Sequence, residues 1–117
     1  MDCLHIFDNN RQIIKRPMQS LGEILRQQRD KKGLLLRQVG AAMDVDQALI
    51  SKFERSERNP SREQVIQFAK FFGLEENELL VAWLSDKLAA EVQHEDLAKE
   101  ALKAAEKKID LLKKRNK

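Results

Sequence analysis

Residues 44–61 read DVDQALISKFERSERNPS, and this stretch decides the fold. Asp46 supplies a helix start, because its carboxylate can accept the orphan backbone N–H groups of a first turn. Ile50 and Phe53, three residues apart, share one face of the helix that follows. Gln47, Ala48, Ser51, Lys52 and Arg55 fall mostly on other faces. Small and amide side chains near the start, followed by Lys and Arg, suit a helix that enters a DNA major groove. Glutamine can pair bidentately with adenine, alanine can touch a thymine methyl, and lysine or arginine can reach guanine or phosphate. The same pattern also describes an ordinary amphipathic surface helix, so the preceding segment has to decide between the two.

That segment is LLLRQVGAAMDV, residues 34–45. Val39, Ala42 or Met43, and Val45 form a second short apolar stripe. It closes just before the helix that Asp46 starts. Two short helices joined by so tight a turn make a helix-turn-helix.

Working outward, Ser20 with Glu23 is a capping box that opens a first helix over 20–32, and Gly33 ends it in a left-handed cap. Leu21, Ile24, Leu25 and Gln28 are its inward stripe. Helices are expected over 36–43 and 47–56. Asn59-Pro60 breaks the chain, and Ser61 with Gln64 opens a fourth helix through Phe72. Its inner face is Val65, Phe68, Ala69 and Phe72, and Gly73 stops it. A fifth begins near Glu75, where two acids favour the positive end of the helix dipole. Leu79, Leu80, Trp83, Leu84 and Leu88 form its apolar stripe.

Residues 21 to about 84 therefore share traits with a known family. Leu21-Gly22-Glu23-Ile24-Leu25-Arg26, Val39, Met43, Val45, Gln47, Ile50-Ser51-Lys52, Glu54-Arg55, Arg58 and Pro60-Ser61 resemble the Xre/Cro/phage-repressor helix-turn-helix domain. The expected fold is all-α: the resemblance implies a five-helix repressor-type domain, and the flanking residues add an extra C-terminal helix and either a short N-terminal β-arm or a loose tail. The expected division is 1–17 as an arm, 18–88 as the DNA-binding domain and 89–117 as a C-terminal helix for dimerisation. The resemblance implies that Gln47, Ala48 and Lys52 meet base edges. It places Arg37, Ser51, Arg55, Arg58 and Asn59 at or near the sugar-phosphate backbone. Glu54 is expected to pair with a basic neighbour. Three positions depart from the family pattern. Leu35 replaces a Thr or Ser cap, Leu36 replaces a Gln that touches phosphate, and Asp46 replaces a Ser or Thr.

Residues 89–117 carry Ala98, Leu102, Ala105, Ile109 and Leu112 at spacings of four, three, four and three, a heptad seam about two heptads long. It either packs on its own domain or joins two copies. A dimer is favoured, because paired half-sites on DNA demand one. The expected interface is Trp83, Leu84, Leu88, Leu102 and Ile109.

Charge supports a DNA face by its distribution. The 117 residues carry 22 Lys and Arg against 19 Asp and Glu, a net of only +3. Residues 21–62, however, hold nine basic and six acidic side chains, while 63–90 hold two and five. The presumed DNA-binding segment is therefore positive and the segment that follows it negative, as expected of a protein that meets phosphate on one face. With 42% hydrophobic residues a small core is within reach. The single cysteine, Cys3, allows no internal disulfide and fits a cytoplasmic protein. No run approaches the roughly 18 apolar residues of a membrane span. No secretory leader is expected either, since Asp2 and Asp8 interrupt the N-terminus. Cys3-Leu4-His5 offers two ligands without a second pair, so no metal is expected. Residues 3–7 and 12–15 lean towards strand around a turn-prone Asp8-Asn9-Asn10. They read equally as a hairpin arm or as a loose tail.

No phosphate-binding glycine loop, nucleophile elbow or metal-ligand set is present, so an enzyme is not expected, nor a cofactor. The expected partners are double-stranded DNA and a second copy, not a membrane. The leading expectation is a homodimeric, sequence-specific transcriptional regulator on an inverted-repeat operator. The FERSERNPS string and the short C-terminal extension look most like restriction–modification controllers. The alternatives are an antitoxin or a protein–protein adaptor on the same fold.

Overall fold

The computed structural model describes residues 19–116. The expectation of an N-terminal arm falls outside them. Among the described residues there are six helices and no strand: α1 (Leu21–Lys31), α2 (Leu36–Met43), α3 (Gln47–Glu54), α4 (Arg62–Phe72), α5 (Glu76–Val92) and α6 (Ala98–Arg115). The described residues divide into two compact units, one ending at Asp86 and one beginning at Lys87.

In the first unit the local start signals work as expected. The Ser20 hydroxyl accepts from the Glu23 N–H and the Glu23 carboxylate accepts from the Ser20 N–H. Ser61 and Gln64 repeat the arrangement at α4. At α2 only half of it forms. The Gln38 side chain accepts from the Leu35 N–H at 2.7 Å, but leucine has no oxygen to return the bond. Glu75 accepts from the Asn77 N–H at the start of α5.

Helix ends are set by left-handed residues. Gly33 (φ 66) and Gly73 (φ 70) take this conformation where glycine bears no steric cost. The two ends flanking the turn and exit of α3 use other residues, Asp44 (φ 58) and Ser56 (φ 62). Ser56 ends α3 two residues earlier than the periodicity predicts. Its N–H reaches Phe53 O and the Glu57 N–H reaches Lys52 O, the paired closure of a Schellman motif.

The apolar stripes converge on one core. It holds Leu21, Ile24 and Leu25 of α1, Val39 and Met43 of α2, and Ile50 and Phe53 of α3. All four expected residues of α4, then Leu74, Leu79, Ala82 and Trp83, complete it. Met43, not Ala42, is the buried member of the α2 stripe. Phe68 lies at its centre, edge-on to Phe53 and stacked on Phe72. Two glycines let backbones approach. A Cβ on Gly22 would stand 2.5 Å from Glu54 O, so α1 sits against the end of α3. A Cβ on Gly40 would stand 2.7 Å from Val45 O, so α2 sits against the turn.

In the second unit α6 buries none of its residues. Leu102, Ile109, Leu111 and Leu112 are all exposed. No helix among the described residues is long and apolar enough to cross a membrane.

Candidate nucleic-acid interface

The outer face of α3 is built by subtraction. Ile50 and Phe53 turn into the core, and the 100° helical step then leaves Gln47, Ala48 and Lys52 exposed and Ser51 half-buried. Arg55, Arg58 and Asn59 continue this face through the exit, and Arg37 is exposed on α2. Every residue expected at DNA is therefore accessible, and α3 together with its exit brings most of them onto one short segment. Asp46 starts the helix as expected, accepting from the Ala48 N–H at 3.0 Å.

The seat of this helix is polar and was only half legible. Glu54 does pair with a base, but the base is Arg29 of α1, not a sequence neighbour. Nε and Nη2 of Arg29 donate to the two Glu54 oxygens at 2.7 and 3.1 Å, and Nη1 donates to Leu34 O at 3.0 Å. Their side chains are only 15% and 6% exposed. The hydrogen bond to Glu54 holds the Arg29 guanidinium above its ordinary range, against the opposing effect of burial.

At the exit, Arg55 is held on two sides. Its Nε and Nη2 donate to Glu57 at 2.8 and 3.2 Å, and its Nη1 donates to the Ser51 hydroxyl. The hydrogen bond from Arg55 keeps the Glu57 carboxyl below the usual range, with help from the charge of Lys52. Sequence reading did not pair these two residues; the left-handed Ser56 that folds Glu57 back was the missing signal.

One expected role needs correction. Trp83 was expected at an interface between copies. It is 6% exposed, inside its own core, and its indole N–H donates to Pro60 O at 2.9 Å. Arg62, exposed at the start of α4, lies against this ring. Its guanidinium lies 5.3 Å from the centre of the Trp83 ring, the geometry of a cation–π contact. Both side chains clamp the exit loop to α5. Leu84 and Leu88 are exposed, at 42% and 57%, as are Leu102 and Ile109. Leu36 packs against the core and so does not stand in for the phosphate-contacting Gln of the pattern.

No group of acidic, histidine or cysteine residues among the described residues could hold a metal ion. Residues 20–82, more than half of the chain, match a family described as a helix-turn-helix domain. The chain belongs to the helix-turn-helix family. α2 and α3 are its two defining helices, and DNA binding is the activity this domain carries. No curated protein matches the chain closely enough to count as a relative.

Proposed function

We propose that this helix-turn-helix protein is a sequence-specific transcriptional regulator, not an enzyme. It acts in the cytoplasm as a homodimer on an inverted-repeat operator. The observation that carries the DNA reading is the outer face of α3, where Gln47, Ala48 and Lys52 stand exposed beside the basic exit. In this reading Gln47, Ala48 and Lys52 meet base edges, and Arg37, Ser51, Arg55, Arg58 and Asn59 meet the backbone. Support for a dimer comes from α6, whose Leu102 and Ile109 lie uncovered, and from Leu84 and Leu88 of α5. Most helical stability in proteins comes from packing an amphipathic face, and a second copy would cover this one. One recognition helix also reads too few base pairs to compete with a genome of other sites. The target we favour is a restriction–modification operon; gene neighbourhood tests that point directly.

The DNA experiment compares Gln47→Ala and Arg58→Ala on selected and random duplexes. Gln47→Ala should lose about 1–3 kcal/mol on the selected site and much less on random DNA. Arg58→Ala should weaken both alike and lower the salt slope by about one unit. Equal losses for Gln47→Ala on both duplexes would remove it as a reader. Salt-insensitive or absent DNA binding by the intact protein would favour an adaptor. Sedimentation at micromolar protein tests the dimer: a monomeric full-length chain would refute it. A chain truncated after Asp86 that stays dimeric would move the interface off the C-terminal segment.

A further inference from the structure

We propose that Glu57 is a positioning residue for DNA binding: it holds Arg55 in the conformation that receives a phosphate, although its own charge opposes the DNA. The inference rests on the DNA reading above and adds a role that charge alone would forbid.

The geometry is specific. A guanidinium has five N–H donors in a rigid plane. Three groups of Arg55 are already engaged: Nε and Nη2 on the Glu57 carboxylate, and Nη1 on the Ser51 hydroxyl. One N–H remains on each Nη of this planar fork, and both can donate to phosphate oxygens. Ser51 fixes the fork from within α3, and Glu57 fixes it from the exit. Glu57 can do so because Ser56 takes the left-handed conformation and the Glu57 N–H closes on Lys52 O at 2.9 Å. Arg55 and Glu57 are each about half exposed, so the pair lies where a duplex can reach it.

Two effects of Glu57 compete, and their sizes differ. Repulsion between its carboxylate and a phosphate held on the same guanidinium, about 7 Å away, changes affinity by about two- to threefold. Ordering a long side chain before binding, so that the complex does not have to, changes affinity by about two- to tenfold. Positioning should therefore win, and removing a negative charge beside the DNA should weaken binding.

The test is a double-mutant cycle on the full chain, read by anisotropy of a short fluorescent duplex of random sequence over a salt series. Glu57→Ala is expected to weaken binding about two- to tenfold. In an Arg55→Ala background the same change is expected to tighten binding by up to about threefold, since only repulsion is left to remove. This reversal of sign is something a merely structural role would not produce; it would weaken both backgrounds. Glu57→Gln, which keeps one acceptor oxygen, should fall between the parent and Glu57→Ala. Circular dichroism confirms that each variant is folded. Equal or tighter binding by Glu57→Ala with Arg55 present overturns the proposal and leaves the DNA reading intact. Absence of salt-dependent binding by the unsubstituted protein overturns both.

Discussion

Glu54→Ala should cost the domain about 3 kcal/mol, far more than removing an exposed acid. The figure follows from what surrounds the pair. The two hydrogen bonds from Arg29 are short, at 2.7 and 3.1 Å, and the partners are 6% and 15% exposed. Breaking a buried pair from one side costs about 3–5 kcal/mol, because the remaining charge is left without a partner; an exposed pair is worth at most about 1. The lower end applies here, since Arg29 keeps its bond to Leu34 O at 3.0 Å and has Asp30 3.8 Å away. Against a total stability of about 5–15 kcal/mol, this is a large share. It also loosens the seat of α3, which bears the proposed DNA face. The assay is urea unfolding followed by circular dichroism; guanidinium chloride is avoided because its salt screens charges. The double variant Arg29→Ala/Glu54→Ala should be less destabilised than the sum of the singles by at least about 1 kcal/mol. A loss under about 1 kcal/mol for Glu54→Ala, with additive singles, would refute the reasoning and class the pair with exposed ion pairs.

Gly40→Ala should destabilise by about 1–3 kcal/mol, since its Cβ would stand 2.7 Å from Val45 O and force α2 from the turn; wild-type unfolding midpoints would contradict this. Asp44→Gly should raise stability by up to about 1 kcal/mol by relieving a left-handed β-carbon at φ 58. An unfolding midpoint below the parent's would show that the Asp44 side chain contributes more than the strain it brings. Asp86 accepts from the Leu21 N–H at 2.8 Å, yet burial pushes its carboxyl above the ordinary value of 3.8, against the pull of that bond. A raised folded value means its contribution is greatest below the unfolded value and is lost as pH rises through the folded one. Asp86→Asn, which retains an oxygen for Leu21, should therefore gain stability relative to the parent between acid and neutral pH. Urea midpoints across that range would reject the idea if the parent gains instead.

What the chain determined by itself is local. Ser20 with Glu23, and Ser61 with Gln64, cap their helices because each reaches only three residues. Gly33 and Gly73 stop theirs because a left-handed residue is cheap only without a Cβ. Val65, Phe68, Ala69 and Phe72 face inward because 3.6 residues per turn put them on one side. The same period left Gln47, Ala48 and Lys52 facing outward, so most of the candidate interface was legible before any coordinates. The tertiary structure decided which helices meet and which side chains then find each other. Glu54 could have paired with any nearby base; the close approach of α1 at Gly22 presents Arg29 instead. Trp83 read as a residue between two copies, but in the folded chain the exit loop offers it Pro60 O and Arg62. Arg55 and Glu57 lie two residues apart, too close to face each other on a helix, and they meet because the chain turns at Ser56. Periodicity encodes which face of a helix is inward, but not the angle and distance at which two helices pack. Contacts between distant residues depend on that packing, so they were settled only in the folded chain.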